Sequence, residues 1–191
     1  MSKVILLAGP KRSGKDTCAK MIKEQLELHN QSVEIMSFAD PLKQIVSIGL
    51  GINLTDLDMY KNNSDRYQLC LVDMIGGNHG FTTNCREILQ RFGTEAIKPI
   101  FGKDVWVNLM KSKIAQSTAD FILIPDFRFP VEYINGATTI KVESNKAKSN
   151  DTHSSETALS DFKFEYIINN NDYQFNEQNA KSFINSLLTV E

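Results

Sequence analysis

The segment Gly9-Pro10-Lys11-Arg12-Ser13-Gly14-Lys15-Asp16-Thr17 constrains this chain more than any other, because of what flanks it. Before it runs KVILLA, residues 3–8, long enough for one buried strand. After it, Cys18, Ala19, Ile22 and Leu26 recur at helical spacing and predict an amphipathic helix over 14–29. The spacing G-x-x-x-x-G-K between a strand and a helix builds a phosphate cradle. Gly9 and Gly14 let the backbone curl so that successive N–H groups face one anion, and the helix N-terminus adds its positive dipole end. Lys15 adds a point charge for the outer phosphates, and Arg12, Ser13, Gly14, Asp16 and Thr17 complete the predicted nucleotide contacts. Asp16 stands where Ser or Thr is usual. Its carboxylate either ligates Mg²⁺ or complements the helix dipole, and both readings stay open.

Further strands are predicted at 33–38, 121–125, 138–143 and 166–169, with helices at 41–50 and 175–188. Strands alternating with helices predict βαβ units. The fold class expected is an α/β P-loop NTPase fold of three layers, a mostly parallel sheet with helices on both faces and a small substrate-binding insertion. Residues 52–84, rich in Asn, Gly and Asp, and residues 144–161 fit neither layer. The first is read as a substrate-covering insertion and the second as a lid-like segment of one P-loop domain spanning 1–191, each with a plain surface loop as its alternative.

A net charge of −2 over 191 residues argues against a broadly basic surface for nucleic-acid polymers, so anion binding should be local. The three cysteines, Cys18, Cys70 and Cys85, are too scattered for a zinc ribbon or a disulfide framework, and a reduced cytoplasmic setting is expected. The apolar run at 4–8 is too short for a signal segment or a membrane span. Three scattered histidines assemble neither a Ser-His-Asp triad nor a metal site.

A site that joins two anions needs cations beyond Lys15. The candidates are Lys11, Arg12, Lys43, Arg66, Arg86, Arg91 and Arg128, arginine being suited by its planar fork. Asp126 and Arg128 follow the very apolar run at 121–125, which puts them at the carboxyl edge of the sheet. There Asp126 could hold Mg²⁺ through water or orient an arginine. In REILQRFGTEAI, Arg86 shares a face with Gln90 while Arg91 points elsewhere, and Gly93-Thr94 is expected to interrupt or end the helix. Trp106 is assigned to core packing, with base stacking as the alternative. His153, after Asn150-Asp151-Thr152, sits in a cap-like cluster.

Taken together, KRSGKDT at 11–17, FADPLK at 38–43, REILQRFGT at 86–94, WV at 106–107, PDFRFPVE at 125–132, SNDTHSSETAL at 149–159 and the strand ending in Asn169-Asn170 resemble the deoxynucleoside monophosphate kinases of T-even-like bacteriophages. The resemblance implies transfer of the γ-phosphoryl of ATP to a deoxynucleoside monophosphate, giving the diphosphate, with Mg²⁺ between the substrates. Lys11 would reach between donor and acceptor, Lys43 and Arg86 would face the acceptor, and Gly93, Thr94 and Trp106 would form a nucleotide shelf. Asp126, Arg128 and Glu132 would line the reaction centre, and His153 and Glu156 would belong to the part that closes over the substrates. Lys15, Arg128, Lys11 and Asp126 would be the catalytic group. The resemblance also implies a homodimer contact, and a host-cytoplasm location if the gene is a phage's. Residues 52–84 depart from the family by being shorter. The animal-type phosphomevalonate kinases also resemble the chain through KxSGKD and PLK. A nucleotide-switch or DNA-handling ATPase is the rival of another class.

Overall fold

The computed structural model describes residues 2–62, 69–70, 82–145, 158–171 and 175–188. The chain divides into two compact units, Met1–Phe38 with Met110–Glu191, and Ala39–Leu109.

The first unit is built on a parallel sheet of β1 (Lys3–Ala8), β2 (Val33–Ile35), β5 (Phe121–Ile124), β6 (Thr138–Glu143) and β7 (Tyr166–Asn169) in the order β2-β5-β1-β6-β7. The registers Leu6↔Ile124 and Leu6↔Thr139 place β1 at the centre, with the chain crossing from one side of it to the other between β5 and β6. Such a reversal opens a crevice beyond the strand ends, where α/β sheets bind ligands. Side chains alternate faces along each strand. On one face Ile5, Leu7, Phe121, Leu123, Ile140, Val142 and Ile168 pack with Cys18, Ala19, Ile22 and Leu26 of α1 (Lys15–Leu28) and with Ala180 and Ile184 of α7 (Glu177–Leu188). On the other, Val4, Leu6, Ala8, Ile122 and Ile124 meet Phe127 and Met110, with Phe162 and Phe164 packed alongside. Met110 belongs to α6 (Val105–Gln116). The sheet thus carries helices on both faces, as its near-continuous apolar strands require. Truncating a buried residue such as Leu26 to Ala should cost about 2–5 kcal/mol.

Local chemistry sets the element ends. Helix α1 stops where Asn30 turns left-handed at φ 59° and the N–H of Gln31 reaches the carbonyl of Leu26 at 3.1 Å. Strand β2 is shorter than the expected 33–38. Past Met36, which still bonds the carbonyl of Leu123, Ser37 and Phe38 leave the ladder for the carboxylate of Asp126.

The second unit is mainly helical, with α2 (Asp40–Leu50), α3 (Leu54–Asn62) and α4 (Cys85–Arg91) around a small core of Val46, Leu57, Cys85 and Leu89. Strands β3 (Leu69–Cys70) and β4 (Thr82–Thr83) form a short antiparallel pair. Helix α3 lies inside the segment 52–84, read as a substrate-covering insertion or a surface loop. Asn53 caps it by accepting from the N–H of Asp56 at 2.8 Å, and Leu57 anchors it in the core. Asn84 does the same for α4 through Glu87. At Gly93-Thr94 the α-helix is interrupted but not ended: it passes through a π-helical stretch, Phe92–Ile97, into α5 (Lys98–Phe101). Among the described residues, no helix is long and apolar enough to cross a membrane.

Candidate active site

The loop between β1 and α1 has the curvature its glycines allow. Gly9 lies at φ +148° and Gly14 at φ +90°, and neither could carry a side chain, since a Cβ on Gly9 would stand 2.3 Å from the carbonyl oxygen of Val142 and one on Gly14 2.3 Å from Nδ2 of Asn170. Arg12 is also left-handed, at φ 66°, a conformation that costs a non-glycine residue about 1–3 kcal/mol. Such strain is held by its surroundings, here a turn closed by the N–H of Ser13 on the carbonyl of Pro10 at 3.1 Å. Gly14 caps α1, so the first N–H groups of that helix open toward the loop.

Lys15 is half-buried, and Nζ donates to the carbonyls of Gly9 at 2.7 Å and Pro10 at 2.9 Å. Lys11, Arg12, Asp16 and Thr17 are exposed. The hydroxyl of Ser13 is not. It is fully buried, with no hydrogen-bond partner among the described residues. Cys18, one turn into α1, is walled off as well, and burial pushes its thiol up to about 11, which leaves it inert at neutral pH.

Strand β5 pairs directly with β1, which delivers Asp126 and Arg128 to the carboxyl edge of the sheet in the same unit as the loop. The chain stays fastened there, with the N–H of Phe127 on the carbonyl of Leu7 and the Phe127 ring edge-on to Phe162 at 5.2 Å. Asp126 accepts from the hydroxyl of Ser37 at 2.6 Å with one oxygen and from the N–H of Phe38 at 3.0 Å with the other. Glu132 lies in a one-turn 3₁₀ helix, Pro130–Glu132, and its Oε2 accepts from the N–H groups of Arg128 at 2.7 Å and Phe129 at 3.0 Å. Burial pushes the Glu132 carboxyl up to about 7. Its two amide donors pull the other way, the Asp126 carboxylate adds to the rise, and the Arg128 guanidinium opposes it.

The other candidates belong to the helical unit. Lys43 on α2 is paired with Asp58 on α3, at 3.0 Å to Oδ1 and 3.3 Å to Oδ2. Arg86 is half-buried on α4 and forms no hydrogen bond or ion pair among the described residues. Arg91 is spent on Glu87 and Glu95 at the surface. Gly93 is buried, and a Cβ there would meet Leu42 at 2.8 Å, so its missing side chain serves helix packing and not an exposed shelf. Thr94 is exposed. Trp106 is only partly buried, and it is Val107 beside it that is buried. His153, Glu156 and Arg66 lie outside the described residues.

A profile of the family described as deoxynucleotide monophosphate kinase matches residues 61–179, more than half of the 191. The chain belongs to that family. The matched stretch holds Arg86, Trp106, Asp126, Arg128 and Glu132 but not the phosphate loop, so the loop is a sign of nucleotide binding that stands apart from the family match. The protein is a P-loop nucleotide monophosphate kinase. No curated protein matches the sequence. Among solved structures, cobyrinic acid a,c-diamide synthase from Mycobacterium smegmatis, with bound ADP and magnesium, is similar over 100% of this chain and 82% of its own at 13% identity and a TM-score of 0.43. A candidate plasmid partition protein from Borrelia burgdorferi bound to AMPPNP is similar over the same shares at 17% identity and a TM-score of 0.42.

Two contacts of the candidate residues escaped the sequence reading. Asn170 bonds the phosphate loop, whereas the sequence reading quoted it only as the end of a strand within the family resemblance and gave it no role. Asp58 as the partner of Lys43 was hidden in a segment whose polar composition masked a capped helix.

Proposed function

We propose that the protein transfers the γ-phosphoryl group of ATP to deoxynucleoside monophosphates, yielding deoxynucleoside diphosphates and ADP. What carries this reading is the intact phosphate loop, standing outside the matched stretch, in a chain of the deoxynucleotide monophosphate kinase family. The acceptor phosphate is already an anionic nucleophile, so no general base is needed, and positioning and charge do the catalysis. Lys15 exchanges its two loop carbonyls for phosphate oxygens. Arg128, aimed by a backbone that Glu132 holds, neutralises charge on the transferring group, and Lys11 reaches between the two substrates. Asp126 keeps the β2 and β5 ends together beneath the site.

Among the described residues, no three His, Cys, Asp or Glu side chains converge to hold a metal. Magnesium in kinase sites needs only one or two protein oxygens besides phosphates and water, and the exposed Asp16 and Thr17 at the end of the loop fit that donor set. When bound, Mg²⁺ would spread positive charge over the transferring oxygens.

On the acceptor side, the guanidinium of Arg86, which has no partner among the described residues, and the amine of Lys43 take the monophosphate. Thr94 and the exposed part of Trp106 take the base, while Gly93 supports them through Leu42. His153 and Glu156 remain assigned to closure over the substrates. Exposed Ile45, Ile48, Ile100 and Phe101 on the helical unit offer apolar surface for the homodimer that belongs to this reading. The setting is cytoplasmic and no polymeric nucleic acid is involved. The experiment is coupled ATP consumption by purified protein with Mg²⁺ against a panel of deoxynucleoside and ribonucleoside monophosphates and phosphomevalonate. Turnover of a deoxynucleotide above the others is expected, and turnover of phosphomevalonate alone would sink the proposal.

A further inference from the structure

An asparagine with only 3% of its surface exposed is costly unless both ends of its amide are satisfied. Those of Asn170, the residue after β7, are. Its Nδ2 donates to the carbonyl of Ser13 at 2.8 Å, its Oδ1 accepts from the N–H of Phe175 at 3.1 Å, and its own N–H donates to the carbonyl of Glu143 at 2.8 Å. One residue therefore ties the phosphate loop to the end of β6 and to the approach to α7. Its neighbours reinforce the tie, Asn169 accepting from the N–H of Asn171 at 3.1 Å and Asn171 from that of Asn145 at 2.6 Å.

The contact with the loop bears on binding because the peptide unit is planar. The carbonyl of Ser13 and the N–H of Gly14 belong to one trans unit and point opposite ways. Drawing that oxygen down onto a buried amide turns the Gly14 N–H away from the core, toward the side where a phosphate would approach. A Cβ on Gly14 would stand 2.3 Å from the same Nδ2, so only glycine, here at a φ of +90°, lets the amide approach the loop this closely. An aspartate would fill the same space but present an acceptor to an acceptor.

We propose that Asn170 is a positioning residue for the donor nucleotide, setting the peptide at 13–14 so that the loop's amides meet the ATP phosphates. This rests on the reading that the loop binds ATP. The test is calorimetric titration of the full chain with ADP, backed by steady-state kinetics and thermal melts, for wild type, Asn170→Asp and Asn170→Ala. Asn170→Asp keeps the shape, so it serves if the alanine variant does not fold. Wild type should bind ADP, and each folded variant should bind it about tenfold or more weakly, as loss of a buried hydrogen bond implies. The ATP KM should rise by a similar factor while the acceptor KM stays within about twofold. A purely structural asparagine would lower the melting temperature and the active fraction but leave the ATP KM of the surviving enzyme unchanged. ADP affinity within about twofold of wild type in Asn170→Asp overturns the inference. Failure of wild type itself to bind ADP would instead overturn the kinase reading.

Discussion

The sheet unit and the helical unit hold their charged groups in different ways. In the sheet unit, Lys15 rests on the carbonyls of Gly9 and Pro10, Asp126 on the N–H of Phe38 and the hydroxyl of Ser37, and Glu132 on two successive N–H groups. Each has at least one backbone anchor. In the helical unit Arg86 has no partner among the described residues, and Lys43 is held by another side chain, Asp58, itself well exposed. Backbone anchors lose little entropy when a ligand arrives, whereas long side chains must be ordered at that moment. On the proposed function, the donor side would therefore be built in advance, and the acceptor side would be completed by its substrate.

The largest test of that contrast is Lys15→Ala. Loss of a charge that meets the transferring group should cost about 3 kcal/mol or more, at least a hundredfold in rate, while the melting temperature changes little because Lys15 contributes nothing to the buried clusters. Retention of more than about a tenth of wild-type turnover would remove Lys15 from the chemistry.

Next in size is the pair Arg128→Ala and Arg86→Ala. Charged hydrogen bonds are worth about 1.5–3 kcal/mol, roughly ten- to a hundredfold. Arg128→Ala should lower kcat by that factor, and Arg86→Ala should raise the acceptor KM with kcat nearly kept. If Arg86→Ala instead lowered kcat alone, the division between a prebuilt donor side and a substrate-completed acceptor side would fail.

The same division governs what could be read from sequence. The loop was legible because only glycine tolerates φ +148° and +90° against neighbours at 2.3 Å, so the chemistry leaves a fixed spacing. The strands were legible because burial on both faces demands unbroken apolar runs, as at Phe121–Ile124. Helix α3 was not, since a single buried residue, Leu57, and an Asn53 cap hold it within a polar stretch. At Gly93-Thr94 the interruption was legible but its form was not: the glycine reads as a breaker by propensity, whereas the chain passes through a π-helical stretch, Phe92–Ile97, with Gly93 packed where a Cβ would stand 2.8 Å from Leu42. Asn170 and Asp58 act through partners 157 and 15 residues away, which no local pattern encodes.

A smaller effect is expected from Lys43→Ala. The acceptor KM should rise severalfold, yet stability should fall by no more than about 1 kcal/mol, because Asp58 is 44% exposed and such pairs are screened by water. A fall of several kcal/mol in a denaturant titration would make Lys43 a structural residue of the helical unit.

The smallest effect concerns Glu132 and asks whether the sheet unit needs its charge or only its oxygen. Both N–H groups of Arg128 and Phe129 bond the same oxygen, Oε2, so the amide oxygen of Glu132→Gln can replace it and keep Arg128 aimed. Burial raises the carboxyl from 4.5 to about 7 in the folded state. Between those values the folded chain holds more protons than the unfolded one, so the stability from this group is full below about pH 4.5 and is lost as pH rises through 7. Glutamine does not titrate. The melting temperature of Glu132→Gln relative to wild type should therefore climb by a few degrees from pH 5 to pH 8. At pH 8 its kcat should stay within about threefold of wild type if the side chain acts only through the backbone of Arg128. Thermal melts at several pH values, with kinetics at the highest, measure both. A gap that stays flat with pH would mean Glu132 is not burdened by its charge, and a kcat loss as large as that of Arg128→Ala would put the carboxylate itself in contact with the substrates.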